Sequence, residues 1–123
     1  MIIDDHAVVR NGVRKALEQR GGFHIFEAAS RAEALAQIAK TNPSLIIVDL
    51  NLPDGNGLEI VQWVRSISSH TALVVLSFSE SDEFVLAAMN AGASAFVQKA
   101  APLSELIASV EHALTSPETF SAK

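Results

Sequence analysis

With 123 residues, 49% of them hydrophobic, the chain has enough apolar material for one core and too much for a disordered segment. The net charge of −5 comes without any basic cluster, which argues against a chain that grips nucleic acid by its phosphates. The absence of cysteine excludes disulfides and thiolate metal sites, no apolar stretch approaches the roughly 20 residues of a membrane span, and the N-terminus lacks a signal-peptide layout, so a soluble cytoplasmic protein is expected.

Apolar runs alternate with helix-like segments, the βα pattern of a parallel sheet covered on both faces. The first predicted strand, Met1 to Ile3, is short. A helix follows from about Ala7 to Arg20, with Val9, Val13, Ala16 and Leu17 on one face, and Gly21-Gly22 stops it. The second strand is Phe23 to Ala28. Ser30 and Glu33 read as a capping box whose members satisfy each other's free backbone donors, opening a helix that ends near Lys40. The third strand, Leu45 to Leu50, is apolar throughout except for Asp49, as a strand buried on both faces must be.

Asn51 to Gly57 is a turn-rich loop, followed by a helix from about Leu58 to Ile67 in which Trp63 is a core or groove-filling residue. The fourth strand is Ala72 to Ser77. The fourth helix spans roughly Asp82 to Ala91, with Phe84 and Met89 expected on its buried face and Gly92 just past its end. The fifth strand is Ala95 to Lys99. The fifth helix starts after Pro102 and carries Leu103, Leu106, Ile107, Val110, Ala113 and Leu114 as an apolar stripe. One domain over residues 1–115 is therefore expected, with 116–123 as an aperiodic tail or the start of a linker.

The chemistry sits where the strands end. Asp4 and Asp5 close the first strand, Asp49 falls at the end of the third, Ser77 closes the fourth and Lys99 the fifth. In a parallel sheet these ends share one edge, so the five residues would meet in one crevice. A lone Asp after an apolar run is often only a helix cap, but this set recurs strand by strand. Carboxylates gathered in this way repel unless a cation joins them, and oxygen donors suit a hard ion such as Mg²⁺. His6 beside the acids is expected to begin the first helix at the rim of the site rather than to bind metal, since imidazole suits transition metals.

The stretches Ile3-Asp4-Asp5-His6, Asp49-Leu50-Asn51-Leu52-Pro53 with Gly57, Ser77, and Phe96-Val97-Gln98-Lys99 make the chain resemble, from end to end, a receiver domain of bacterial two-component response regulators. Asp5 to Gly12 and Ala91 to Phe96 are most similar to the NarL/LuxR-type subgroup. The resemblance implies a single-domain α/β fold, a doubly wound five-stranded parallel sheet of order 2-1-3-4-5 with five helices. It also implies a set of roles. Asp49 is the phosphoacceptor, and Asp5, Asp49 and the backbone carbonyl of Asn51 are the Mg²⁺ ligands, with Asp4 as the second acid. Lys99 pairs with Asp49 and then with the phosphoryl group. Ser77 moves to bond a phosphoryl oxygen, and Phe96 is the aromatic switch that turns inward with it. Two positions depart from the family's usual pattern: Phe78 follows the hydroxyl where a small residue is usual, and Ala100 follows the lysine where many members carry proline.

By the same resemblance the donor would be a sensor histidine kinase, and two copies would pair on phosphorylation. DNA would be reached only through a C-terminal helix-turn-helix domain absent from these residues, in a parent transcription regulator. Two other functions compete. A pseudo-receiver would serve as an interaction module without phosphorylation. A haloacid-dehalogenase-like phosphohydrolase would use the same Asp, Ser and Lys, but it wants an acid two residues after its nucleophile. Asn51 follows Asp49 at that distance and His6 follows Asp4.

Overall fold

A computed structural model describes residues 1–79 and 81–122. In chain order these form β1 (Ile2–Ile3), α1 (Ala7–Arg20), β2 (Glu27–Ala28), α2 (Arg31–Thr41), β3 (Leu45–Asp49), β4 (Asn51–Leu52), β5 (Gly55–Asn56), α3 (Gly57–Ile67), β6 (Ala72–Ser77), α4 (Asp82–Ala91), β7 (Ala95–Gln98), α5 (Leu103–Thr115) and β8 (Ser121–Ala122). The main sheet has the order β2-β1-β3-β6-β7-β8, with each neighbouring pair parallel. Its first five strands are the expected 2-1-3-4-5 arrangement, and β8 makes a sixth.

Alternation along the strands divides the core. Ile46 and Val48 of β3, with Leu73, Val75 and Phe96, face α2, α3 and α4 through Ile38, Ile60, Val61, Val64, Ala88 and Ala91. Leu45 and Ile47, with Val74, Leu76 and Val97, face α1 and α5 through Val13, Leu17, Leu106 and Val110. Ile46, Ile47 and Val48 are wholly shielded from solvent, each contributing about 1.5–3 kcal/mol by burial. The loops at the carboxyl ends of these strands therefore rest on a rigid floor.

Several local expectations are revised. β2 is confined to Glu27–Ala28 because β1 offers only Ile2 and Ile3 as ladder partners; the Phe26 carbonyl still accepts the Ile2 N–H at 2.9 Å. The Ser30 hydroxyl accepts the Glu33 N–H at 3.2 Å as a capping box requires, but the Glu33 carboxylate takes the Ala29 N–H and the Ser30 hydroxyl in return. The loop after β3 contains the short antiparallel pair β4–β5. On α4, Phe84 and Met89 are each 43% exposed rather than buried. The small residues Ala88 and Ala91 face the sheet, which draws the helix close and leaves the bulky side chains at its flanks. Trp63, expected as a core or groove-filling residue, is 37% exposed and lines an open groove with Leu35 and Ala39 between α2 and α3. On α5, Leu103 and Leu114 stay exposed at either end of the stripe.

The stretch after α5 shows no periodicity in sequence, yet Ser121 and Ala122 add to the open edge of β7 opposite Ala95 and Phe96. All peptide bonds among the described residues are trans, Lys99–Ala100 included. No helix among them is long and apolar enough to cross a membrane.

Candidate functional site

Ladder register brings the predicted site residues to one edge. Ile3 pairs with Val48, so Asp4 and Asp49 leave the sheet side by side. Asp49 pairs with Leu76, Ser77 pairs with Gln98, and the Lys99 N–H donates to the Ser77 carbonyl at 2.8 Å. Lys99 Nζ then lies 2.8 Å from Asp4 Oδ2 and 3.0 Å from Asp49 Oδ2. This triad is sealed from water, with Asp4 at 0% and Asp49 at 2% exposure and the Lys99 side chain at 1%.

Burial raises the pKa of the Asp49 carboxyl above its ordinary value. The Lys99 ammonium opposes that shift, the Asp4 charge adds to it, and the Asn51 N–H, 3.3 Å from Asp49 Oδ1, opposes it. Asp4 Oδ2 and Asp49 Oδ2 are within ion-pair distance of Lys99, yet neither receives a well-directed hydrogen bond. Charge is thus partly balanced while lone pairs remain unspent, a costly state for buried oxygens.

The donor set points to what would use them. Asp4, Asp5, His6 and Asp49 each place one ligand atom within 4.8 Å of the others. Three of the four are carboxylates, as a hard divalent cation prefers, so the residues fit such an ion.

The neighbouring loop fixes Asp49 from the other side. Gly57 N–H donates to the Leu50 carbonyl at 2.8 Å, and a Cβ on Gly57 would fall 2.0 Å from the Asp49 carbonyl oxygen, so only glycine lets the chain return this closely. Asn51 pairs with Asn56 in the β4–β5 hairpin. The Asp54 carboxylate fastens that hairpin to α2 by accepting the Arg31 and Ala32 N–H groups at 2.6 and 2.9 Å, and these bonds hold its pKa below the ordinary value.

Ser77 is buried at the end of β6, and its hydroxyl accepts the Ser79 N–H at 3.0 Å. Phe96 is 1% exposed and packed in the core layer that α4 covers. Asp5 is more open and lies beside His6.

Two features were not evident from sequence. His6 begins α1 at the rim as expected, but its Nδ1 lies 3.0 Å from Asp4, 3.2 Å from Asp5 and 3.3 Å from Lys99. Arg10, one turn into α1, reaches back so that Nη1 donates to the Asp4 carbonyl at 2.6 Å while Nε pairs with Glu27 at 3.1 Å. The four-residue step from His6 to Arg10 was the available signal, since it puts both on one side of α1. Phe78 completes the surroundings. Its ring stands 4.9 Å from Lys99 Nζ and edge-on to His6, 6.2 Å between centroids.

Comparison with known proteins identifies the family. The family model for the response regulator receiver domain matches residues 1–111. The chain is 36% identical over 114 residues to the KDP operon transcriptional regulatory protein KdpE of Escherichia coli, covering 93% of this chain and 50% of that protein. It is 37% identical over 99 residues to the DNA-binding transcriptional activator DevR/DosR of Mycobacterium tuberculosis, covering 80% and 46%. A LuxR-family two-component response regulator from Aurantimonas sp. superposes with a TM-score of 0.88 at 31% identity, covering 98% of this chain and 86% of that one. The chain spans about half the length of the curated relatives it matches. Its relatives include transcription regulators such as the nitrate/nitrite response regulator NarL of Escherichia coli and also a protein-glutamate methylesterase of Rhodospirillum rubrum, and the chain itself belongs to the response regulator receiver domain family.

Proposed function

We propose that Asp49 is the phosphoacceptor of this receiver and that a sensor histidine kinase is its donor. The observation that carries the reading is the sealed bridge of Lys99 between Asp4 and Asp49 at 2.8 and 3.0 Å. An Asp49 oxygen forms a bond to phosphorus as the bond from phosphorus to the kinase imidazole breaks, and the electron pair returns to that nitrogen. Asp4, Asp5, Asp49 and the Asn51 carbonyl would hold Mg²⁺, which offsets charge on the transferring group. Lys99 exchanges part of its pairing with Asp49 for a phosphoryl oxygen. Ser77 turns its hydroxyl from the Ser79 N–H towards the same group, and Phe96 answers the space that Ser77 vacates. A local charge change is thereby passed to the α4–β7 side of the domain.

The receiver comprises residues 1–115, and the stretch that follows returns to its sheet as β8 (Ser121–Ala122). The chain is a regulatory phosphoacceptor in the cytoplasm, acting on no substrate of its own beyond assisting its own phosphorylation and dephosphorylation. The parent protein regulates transcription through a separate DNA-binding domain, as the functions of the relatives suggest. Phosphorylation favours pairing of two copies, a reading supported by the exposed apolar residues Phe84, Leu86 and Met89 along α4.

One observation favours a second reading. The Phe78 ring stands 4.9 Å from the Lys99 ammonium that a phosphoryl group would engage, as it could in an interaction module that works without phosphate. Intact mass after incubation with acetyl phosphate separates the two. A gain of one phosphoryl group that needs Mg²⁺ and vanishes in Asp49→Asn supports the receiver. A gain retained in Asp49→Asn means another acceptor.

A further inference from the structure

One nitrogen in the site faces neighbours that make opposite demands on it. His6 Nδ1 lies 3.0 Å from Asp4 Oδ1, 3.2 Å from Asp5 Oδ1 and 3.3 Å from Lys99 Nζ. A carboxylate oxygen calls for a proton on Nδ1, and the Lys99 ammonium calls for a lone pair there. Neither acid depends on the ring for a partner. Asp4 Oδ1 already accepts the His6 backbone N–H at 2.9 Å, Asp4 Oδ2 faces Lys99 at 2.8 Å, and Asp5 is open to water.

The spacing is that of ligands sharing one cation. An octahedral ion that holds nitrogen and oxygen at about 2.1 Å sets neighbouring ligands about 3 Å apart. Nδ1 and the nearest oxygens of Asp4 and Asp5 have that spacing, and Asp49 adds a fourth ligand atom within 4.8 Å of the rest. Asp4 and Asp49 are buried, and each has an Oδ2 without a directed hydrogen bond, so the acids bring spare lone pairs to the site. Asp4 turns Oδ1 to the His6 side and Oδ2 to Lys99, so ion and ammonium need not compete for one oxygen. His6 is free for this part. Its side chain caps no amide of α1 and is 53% exposed, which lets Nε2 carry the ring proton to water while Nδ1 keeps its lone pair. The Phe78 ring flanks the imidazole edge-on.

We propose that His6 is a ligand of the cation site through Nδ1, and that its imidazole tunes the site towards first-row transition ions, Mn²⁺ above all, over Mg²⁺. The proposal rests on the cation site set out above, but not on which residue takes the phosphoryl group. Oxygen donors alone suit Mg²⁺, Ca²⁺ and Mn²⁺ alike, whereas imidazole selects for transition ions. The ring nitrogen replaces one bound water and adds no charge, so Mg²⁺, which gives up its waters reluctantly, gains little from the exchange. A transition ion gains a stronger bond to nitrogen. Three carboxylates beside one imidazole keep the set hard enough for Mn²⁺, which accepts both donor types. His6 is thus a specificity-determining residue, one position along the chain from the acidic pair.

Binding of Mn²⁺ to the chain, followed by the paramagnetic resonance of the free ion, with Mg²⁺ measured by competition, tests this without any phosphorylation. His6→Ala should lose about tenfold in Mn²⁺ affinity, the lower end of what removing even an outer-shell partner costs, while Mg²⁺ affinity stays within about twofold. Mn²⁺ bound to the wild type should show spin-echo modulation from an imidazole nitrogen, altered when histidine alone is labelled with ¹⁵N and absent in His6→Ala. The other histidines do not supply that signal. His24 lines a cavity with Met1 and Leu45, His70 one with Ser44 and Thr71, and His112 faces the Thr119 carbonyl. An equal loss for both ions in His6→Ala would reduce His6 to a support for Asp4 and Asp5. Bound Mn²⁺ without imidazole modulation would remove it from the coordination sphere. Either result overturns the proposal while the cation site stands. No binding of either ion by the wild type would overturn the cation site, and the proposal with it.

Discussion

The ring of Phe78 stands over the Lys99 ammonium, 4.9 Å from centroid to Nζ. The ring itself is 66% exposed, so it covers the site without belonging to the core. A cation–π contact at such a position is worth about 0.5–1 kcal/mol, and its energetic role is minor beside its steric one. Phe78→Ala should therefore leave stability nearly unchanged and raise the rate of labelling by acetyl phosphate by about tenfold, with each tenfold worth about 1.4 kcal/mol of barrier. The measurement is an intact-mass time course at fixed Mg²⁺. Equal rates in the two chains would mean that Phe78 does not guard the approach.

Asp49 costs the resting fold stability. Its pKa is raised, so between the ordinary carboxyl value and the raised one the folded chain binds more protons than the unfolded chain, and stability falls as pH rises through that window. Above that window the full cost is present. Asp49→Asn removes the charge and should raise the melting temperature by a few degrees without metal, in line with about 1–3 kcal/mol for a buried group that lacks a directed hydrogen bond. Millimolar Mg²⁺ should stabilise the wild type more than the variant by mass action. Thermal unfolding of both chains, with and without Mg²⁺, checks this. A less stable Asp49→Asn would show that Lys99 more than offsets the burial.

The parts of this molecule that could be read in the sequence are those governed by local rules. Leu45 to Val48 had to be buried on both faces because no position among them is polar, and Ser30 had to cap because the helix behind it left donors free. The cluster of Asp4, Asp49, Ser77 and Lys99 was legible because strand ends of a parallel sheet share an edge. What stayed hidden depends on partners distant in sequence. The two-residue β8 has no period of its own and exists because β7 leaves an edge open. Phe84 and Met89 looked like core until Ala88 and Ala91 fixed which face of α4 meets the sheet. Arg65 reads as an ordinary surface arginine until Gly92, Ser94 and Pro117 converge on it.

The most direct measurement is reductive trapping of the phosphorylated chain. Borohydride converts an aspartyl phosphate to homoserine, and peptide mass locates the residue. With wild type and Phe78→Ala incubated with acetyl phosphate and Mg²⁺, the account predicts conversion at Asp49, greater in Phe78→Ala and absent without the metal. Conversion at Asp4 or Asp5, or none in either chain, would contradict it.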